Sequence, residues 1–74
     1  MTDTALISDE EWFDAYDGPK SLGWGGNGFH CSIGWNERNY FGIQGRSVVG
    51  IGDTPRGAIM RARAEYARKR LGME

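Results

Sequence analysis

A chain of 74 residues with 39% hydrophobic and 26% charged side chains has a globular composition, and at this length it hides only ~60% of the surface that its unfolded form exposes, so one core is the limit. The net charge is −1 and Cys31 is the single cysteine, which excludes an intramolecular disulfide and points to a reducing, cytoplasmic setting. The first thirty residues contain no continuous apolar segment and no basic leader, so no signal peptide, membrane span or processing is expected. Size scaling gives a radius of gyration of ~11 Å for one domain over residues 1–74.

Met1 to Ile7 has no turn or cap signal and reads as a flexible tail. Ser8-Asp9-Glu10-Glu11 reads as a capping box, with Ser8 as N-cap and Glu11 reaching back to its amide. A helix over residues 9–16 follows, with Trp12, Phe13 and Tyr16 on its apolar face, and Asp17-Gly18-Pro19 stops it. Glycines at 23, 25, 26 and 28 crowd around Trp24, and residues 20–28 are expected to form a loop. From Phe29 the period becomes two: Phe29, Cys31, Ile33 and Trp35 share one side of a strand, and His30, Ser32 and Gly34 the other. Asn36-Glu37-Arg38-Asn39 reads as a hairpin loop, residues 40–44 as a second strand, Gly45-Arg46 as a turn, and residues 47–51 as a third strand. Thr54 as N-cap, Pro55 at the first helical position, apolar residues at Ala58, Ile59, Ala62 and Tyr66, and a stop at Gly72 predict a helix over residues 55–71. The expected fold is α+β, αβββα, with both helices on one face of a three-stranded antiparallel sheet.

Two glycine motifs fail as phosphate cradles. The Gly23-x-Gly25-x-x-Gly28 string precedes a strand instead of a helix, and in Gly50-x-Gly52-x-x-Pro55 the proline deletes an amide while Asp53 adds a negative charge. His30 and Cys31 are the only residues of their kinds and, as strand neighbours, point to opposite faces, so neither a zinc site nor a catalytic triad can be assembled. No catalytic residue, metal or cofactor is expected. Cys31 reads as a core residue and His30 as a surface one.

Charge is uneven along the chain: residues 1–20 carry a net −5, and residues 55–74 a net +4. The basic residues Arg56, Arg61, Arg63, Arg68, Lys69 and Arg70 are the candidate contact for nucleic acid or an acidic partner. The alternative is that the two ends are neighbours and neutralise each other. Helices on one sheet face leave the other for a partner, and its expected residues are His30, Ser32, Tyr40 and Gln44. Trp24 joins them as the tip of the glycine loop, either as an interface anchor or as a lid on the core.

Gly50, Gly52, Thr54, Arg56, Ala58, Ala62 and Leu71 fall on a pattern that resembles the closing segment of double-stranded-RNA-binding domains. That resemblance implies the αβββα order and phosphate-binding bases at positions 55, 56 and 59, of which only Arg56 is basic; residues 36–39 also lack the family's minor-groove Gly-Pro and His. Gly52-Asp53-Thr54-Pro55 with Ala58, Ile59 and Ala62 is equally similar to HicB-type antitoxin domains, and small bacteriophage αβββα proteins look alike too. The function expected is non-enzymatic: a phage or mobile-element protein that inhibits a host protein complex by stoichiometric binding, in the anti-CRISPR or anti-restriction manner. A nucleic-acid-binding module and an antitoxin-like regulator are the alternatives. Homo-oligomers through an edge strand fit the fold, and no membrane partner is expected.

Overall fold

The computed structural model describes residues 7–72; the tail expected at the N-terminus falls outside them apart from Ile7. The chain runs α1 (Asp9–Ala15), β1 (Lys20–Gly25), β2 (Gly28–Asn39), β3 (Gly42–Gly52) and α2 (Pro55–Arg70). The strands form an antiparallel sheet in the order β1-β2-β3, so the α+β class and the αβββα order are as expected. Both helix starts behave as their letters predict: Ser8 Oγ accepts the Glu11 amide at 3.1 Å, and Thr54 Oγ1 accepts the Gly57 amide at 3.0 Å. The Glu11 carboxylate takes the Ser8 hydroxyl at 3.2 Å instead of the backbone amide.

The strand boundaries differ from the expectation in three places. Residues 20–25 form β1 instead of a loop, pairing from Lys20 with Ile33 to Gly25 with Gly28. Its alternation was hidden because Ser21, Gly23 and Gly25 on one face have little or no side chain, while Lys20, Leu22 and Trp24 share the other. Residues 36–39 continue β2 instead of forming a loop, and the turn falls at Tyr40-Phe41, which were expected in a strand. Asn39 fixes that turn by accepting the Phe41 amide on Oδ1 at 2.8 Å, and Gly42 leaves it at φ +124°, a conformation closed to side-chain-bearing residues. Gly45-Arg46, expected as a turn, lies inside β3 opposite Asn36 and Trp35.

The core lies between α2 and one end of the sheet. Cys31, Ile33 and Trp35 from β2, Val48 from β3, Ala58, Ile59 and Ala62 from α2, and Trp12 from α1 are all buried. Small residues bring helix and strand backbones together: a Cβ on Gly50 would overlap the Ala62 nitrogen and the Ala58 oxygen, and one on Gly52 would come within 2.7 Å of the Ala58 nitrogen. Where α1 meets α2, Tyr66 lies at the centre of an aromatic cluster, 5.4 Å from each of Trp12, Tyr16 and Trp35 between ring centroids. Tyr16 ties α1 to the sheet by donating its hydroxyl to the Gly34 carbonyl at 2.6 Å.

Helix and strand rises then decide the outline. The 16 residues of α2 span ~24 Å at 1.5 Å per residue, whereas the 12 residues of β2 span ~40 Å. The helix covers the half of the sheet that holds Cys31, Ile33 and Val48. The hairpin of residues 36–47 runs on beyond it as a two-stranded arm whose residues are almost all exposed. The radius of gyration is accordingly 12.8 Å, with extents of 39 × 35 × 22 Å, above the ~11 Å expected of a compact chain of this length.

The packing yields a paired prediction. Gly50→Ala forces the helix off the strand and is expected to destabilise the fold by ~2 kcal/mol or more. Gly23→Ala, with no atom within 4 Å of the added methyl, is expected to be nearly neutral. Urea unfolding of the two variants beside the parent chain checks both.

Candidate functional site

The register places the predicted site residues of the strands on definite faces. Residues paired across the strands share a side, so His30 and Ser32 of β2 lie on the face away from the helices with Val49 and Ile51 of β3. His30 is half-buried, its ring near the position a Gly25 Cβ would take. Gln44 pairs with Glu37 and belongs to the helix side of the sheet, which corrects its expected place on the open face. The one-residue shift comes from the turn at Tyr40-Phe41, since a shift of one reverses every side chain that follows.

Trp24 is also relocated. It is on the helix side of β1, paired with Phe29 across the strands at 5.0 Å in an edge-to-face contact, with 68% of its surface exposed. It is neither the tip of a flexible loop nor a closed lid, and it borders the core at the sheet end opposite the arm. Tyr40 projects from the arm's turn, some ~36 Å along β2 from Trp24's end. The five residues expected to form one partner surface are thus divided between two faces and two ends of the sheet.

The basic residues of α2 are likewise divided. Arg63 and Arg56 face α1: Arg63 bonds Asp9 Oδ1 and the Ile7 carbonyl, each at 3.1 Å, and Arg56 approaches Glu10 at 3.6 Å. The acidic first helix and basic last helix therefore do pair. Arg70 donates to the Tyr66 hydroxyl at 2.8 Å and lies over the Trp35 ring at 5.9 Å, and Arg68 is bound by Glu65. Arg61 and Lys69 are exposed, with no ion pair or hydrogen bond among the described residues.

Sequence reasoning missed the tip of the arm. Tyr40 and Phe41 are 94% and 92% exposed, their rings 5.3 Å apart, and Ile43 beside them is 69% exposed. Asn39 and Arg38, the latter paired with Ile43, flank them at the end of β2, while Arg46 lies farther back on the arm opposite Trp35, held by Glu37 at 3.7 Å. The signal available was Asn39 before the two aromatics and Gly42 after them, which are turn residues flanking an apolar pair.

Burial pushes the Cys31 thiol above its usual value, and a fully buried, protonated thiol is a poor nucleophile. Among the described residues no three of His, Cys, Asp and Glu gather where a metal could bind, and no helix is long and apolar enough to cross a membrane. Comparison with family models, with curated proteins and with solved structures finds no match to the chain.

Two predictions follow from these surroundings. Arg63→Ala removes a charge-assisted bond at a site only 18% exposed and should cost ~1.5–3 kcal/mol. Arg56→Ala, at 69% exposure, should change stability by no more than ~0.5 kcal/mol; thermal melts at low and high salt separate the two. For Cys31, folded and unfolded chains are both protonated at neutral pH. Above pH ~8.5 the unfolded thiol ionises first, so the unfolded state gains and stability falls, by at most ~1.4 kcal/mol per pH unit. That share of the alkaline decline should vanish in Cys31→Ala, measured as urea midpoints between neutral and alkaline pH.

Proposed function

We propose that the chain is a non-enzymatic protein-binding module whose anchor is the aromatic tip of the β2–β3 arm. The observation that carries this is the near-complete exposure of Tyr40 and Phe41 on a ribbon that the core does not cover. Side chains of this kind bury 150–250 Å² each, so the pair offers ~300–500 Å², the size of the largest apolar patch on an ordinary monomer. Covering it is worth ~8–12 kcal/mol before the cost of association, and that cost is of similar size. The tip therefore needs a pre-shaped apolar pocket in its partner, with the polar residues around it forming a rim.

A small ordered turn favours such use. The two-residue turn is fixed by Asn39 and Gly42, so little conformational entropy remains to be lost on docking. Phe41 and Tyr40 are residue types that supply contact area with few rotatable bonds. Stoichiometric inhibition of a host complex by a phage or mobile-element protein is the kind of action we assign to this anchor, because it demands a docking element and no chemistry. Trp24 and the face with His30 and Ser32 are then outside the anchor. The bases of α2 support nucleic-acid binding less, since Arg56, Arg63 and Arg70 are engaged within the fold.

A photo-crosslinking amino acid at position 41, compared with one at position 32 and one at position 69, tests the proposal in lysate of the native host. The expected result is one protein adduct at position 41 and little at the other two. Tyr40→Ala with Phe41→Ala should then weaken the complex by ~30-fold or more while leaving the melting temperature nearly unchanged. Adducts to nucleic acid at position 69, or undiminished binding by the double variant, would overturn it.

A further inference from the structure

The outer edge of β3 carries a second surface, separate from the arm's tip. β3 is the last strand of the sheet, and its core-side half, Ser47-Val48-Val49-Gly50-Ile51-Gly52, contains neither a charge nor a proline. Sheet edges left in water are commonly guarded by such residues, because a row of unpaired amides and carbonyls otherwise recruits another strand. Here the edge is flanked by apolar side chains instead. Val49 and Ile51 are 52% and 45% exposed on the open face.

On the helix side of the same edge, Arg61, Ala64 and Glu65 of α2 form a shallow groove with Val49, Gly50 and Ile51. The groove thus holds a cation and an anion one helical turn apart, with a small residue beside them. Arg61 has no ion pair among the described residues, while Glu65 faces it from the next turn and holds Arg68 on its far side. A surface bearing both signs in this order is complementary to itself under a twofold axis.

We infer that a second copy of this chain docks on the β3 edge, pairing its own β3 antiparallel about a twofold near Gly50. Val49 of each copy then lies across from Ile51 of the other, giving two β-branched cross-strand pairs on the open face. Arg61 of each copy meets Glu65 of the other on the helix side, and Ala64 leaves room for the two α2 helices to approach. The product is a continuous six-stranded sheet with an aromatic-tipped arm from each copy.

Sedimentation velocity of the full chain over a range of concentrations tests the inference, with circular dichroism to confirm that each variant is folded. A concentration-dependent dimer is expected. Arg61→Glu alone and Glu65→Arg alone should each raise its dissociation constant by about tenfold or more, because like charges then oppose twice. Mixing the two variants should restore dimers, since the mixed pair regains both bridges; Val49→Lys should give monomers. The inference is overturned by a monomer up to about millimolar concentration, by a dimer indifferent to the charge variants, or by one that Tyr40→Ala with Phe41→Ala dissolves and Val49→Lys does not.

Discussion

The close approach of α2 to β3 over Gly50 and Gly52 is the contact on which the other features depend. A helix held this near a strand can interpose only small side chains, and Ala58, Ala62 and Cys31 are the residues found there. Such a core is thin, so it cannot support a sheet of any length on its own. Trp12, Tyr16, Trp35 and Tyr66 add bulk at the point where α2 leaves the strand, and they anchor α1 there. The same contact aligns α2 along β3, which brings Arg61 and Glu65 to the sheet edge and turns Arg63 and Arg56 toward the acids of α1. One backbone-to-backbone packing choice therefore distributes the charges of the whole helix.

Much of the fold was legible wherever a letter had a single local meaning. The caps Ser8 and Thr54, the proline at position 55 and the alternation from Phe29 to Trp35 each correspond to one geometry, and each was realised. β1 was not legible because its open-face positions are Ser21, Gly23 and Gly25: a period of two cannot be read when one of its phases is nearly blank. These glycines are strand residues because pairing with β2 supplies the backbone bonds that local propensity does not.

The candidate site was less legible, for a different reason. Residues 36–39 are polar and form a strand, while Tyr40 and Phe41 are apolar and form the turn, the reverse of the pattern that burial imposes on strands and loops. Burial cannot impose it here, because α2 is too short to reach this part of the ribbon. Local rules were followed at Asn39 and Gly42, where turn chemistry is needed, and departed from at the two residues between them. Places where sequence-level consistency breaks while local geometry holds are where functional constraints are most economically sought. The same turn puts Tyr40 at the tip and Gln44 on the helix side, since its position sets the facing of every residue in β3, while the pairing of β1 with β2 puts Trp24 on the helix side, apart from His30 and Ser32.

Arm and edge share β3, yet they differ physically in a way that keeps their roles apart. Along residues 42–47 the strand is a free ribbon held by β2 alone, and the arm's exposed aromatic area is concentrated at the turn that precedes it, in Tyr40 and Phe41. From Val48 onward α2 backs the strand, fixing its twist and adding a charged flank to the edge. A rigid, backed edge with opposite charges suits pairing with a like surface, where register must be specified. An unbacked tip suits insertion into a concave partner, where the pocket itself supplies the complementarity. If two chains join at the edge, the arms extend on opposite sides of the twofold axis and remain uncovered. Self-association and partner capture then compete for no residue, and the second would gain avidity from the first wherever a partner presents two pockets.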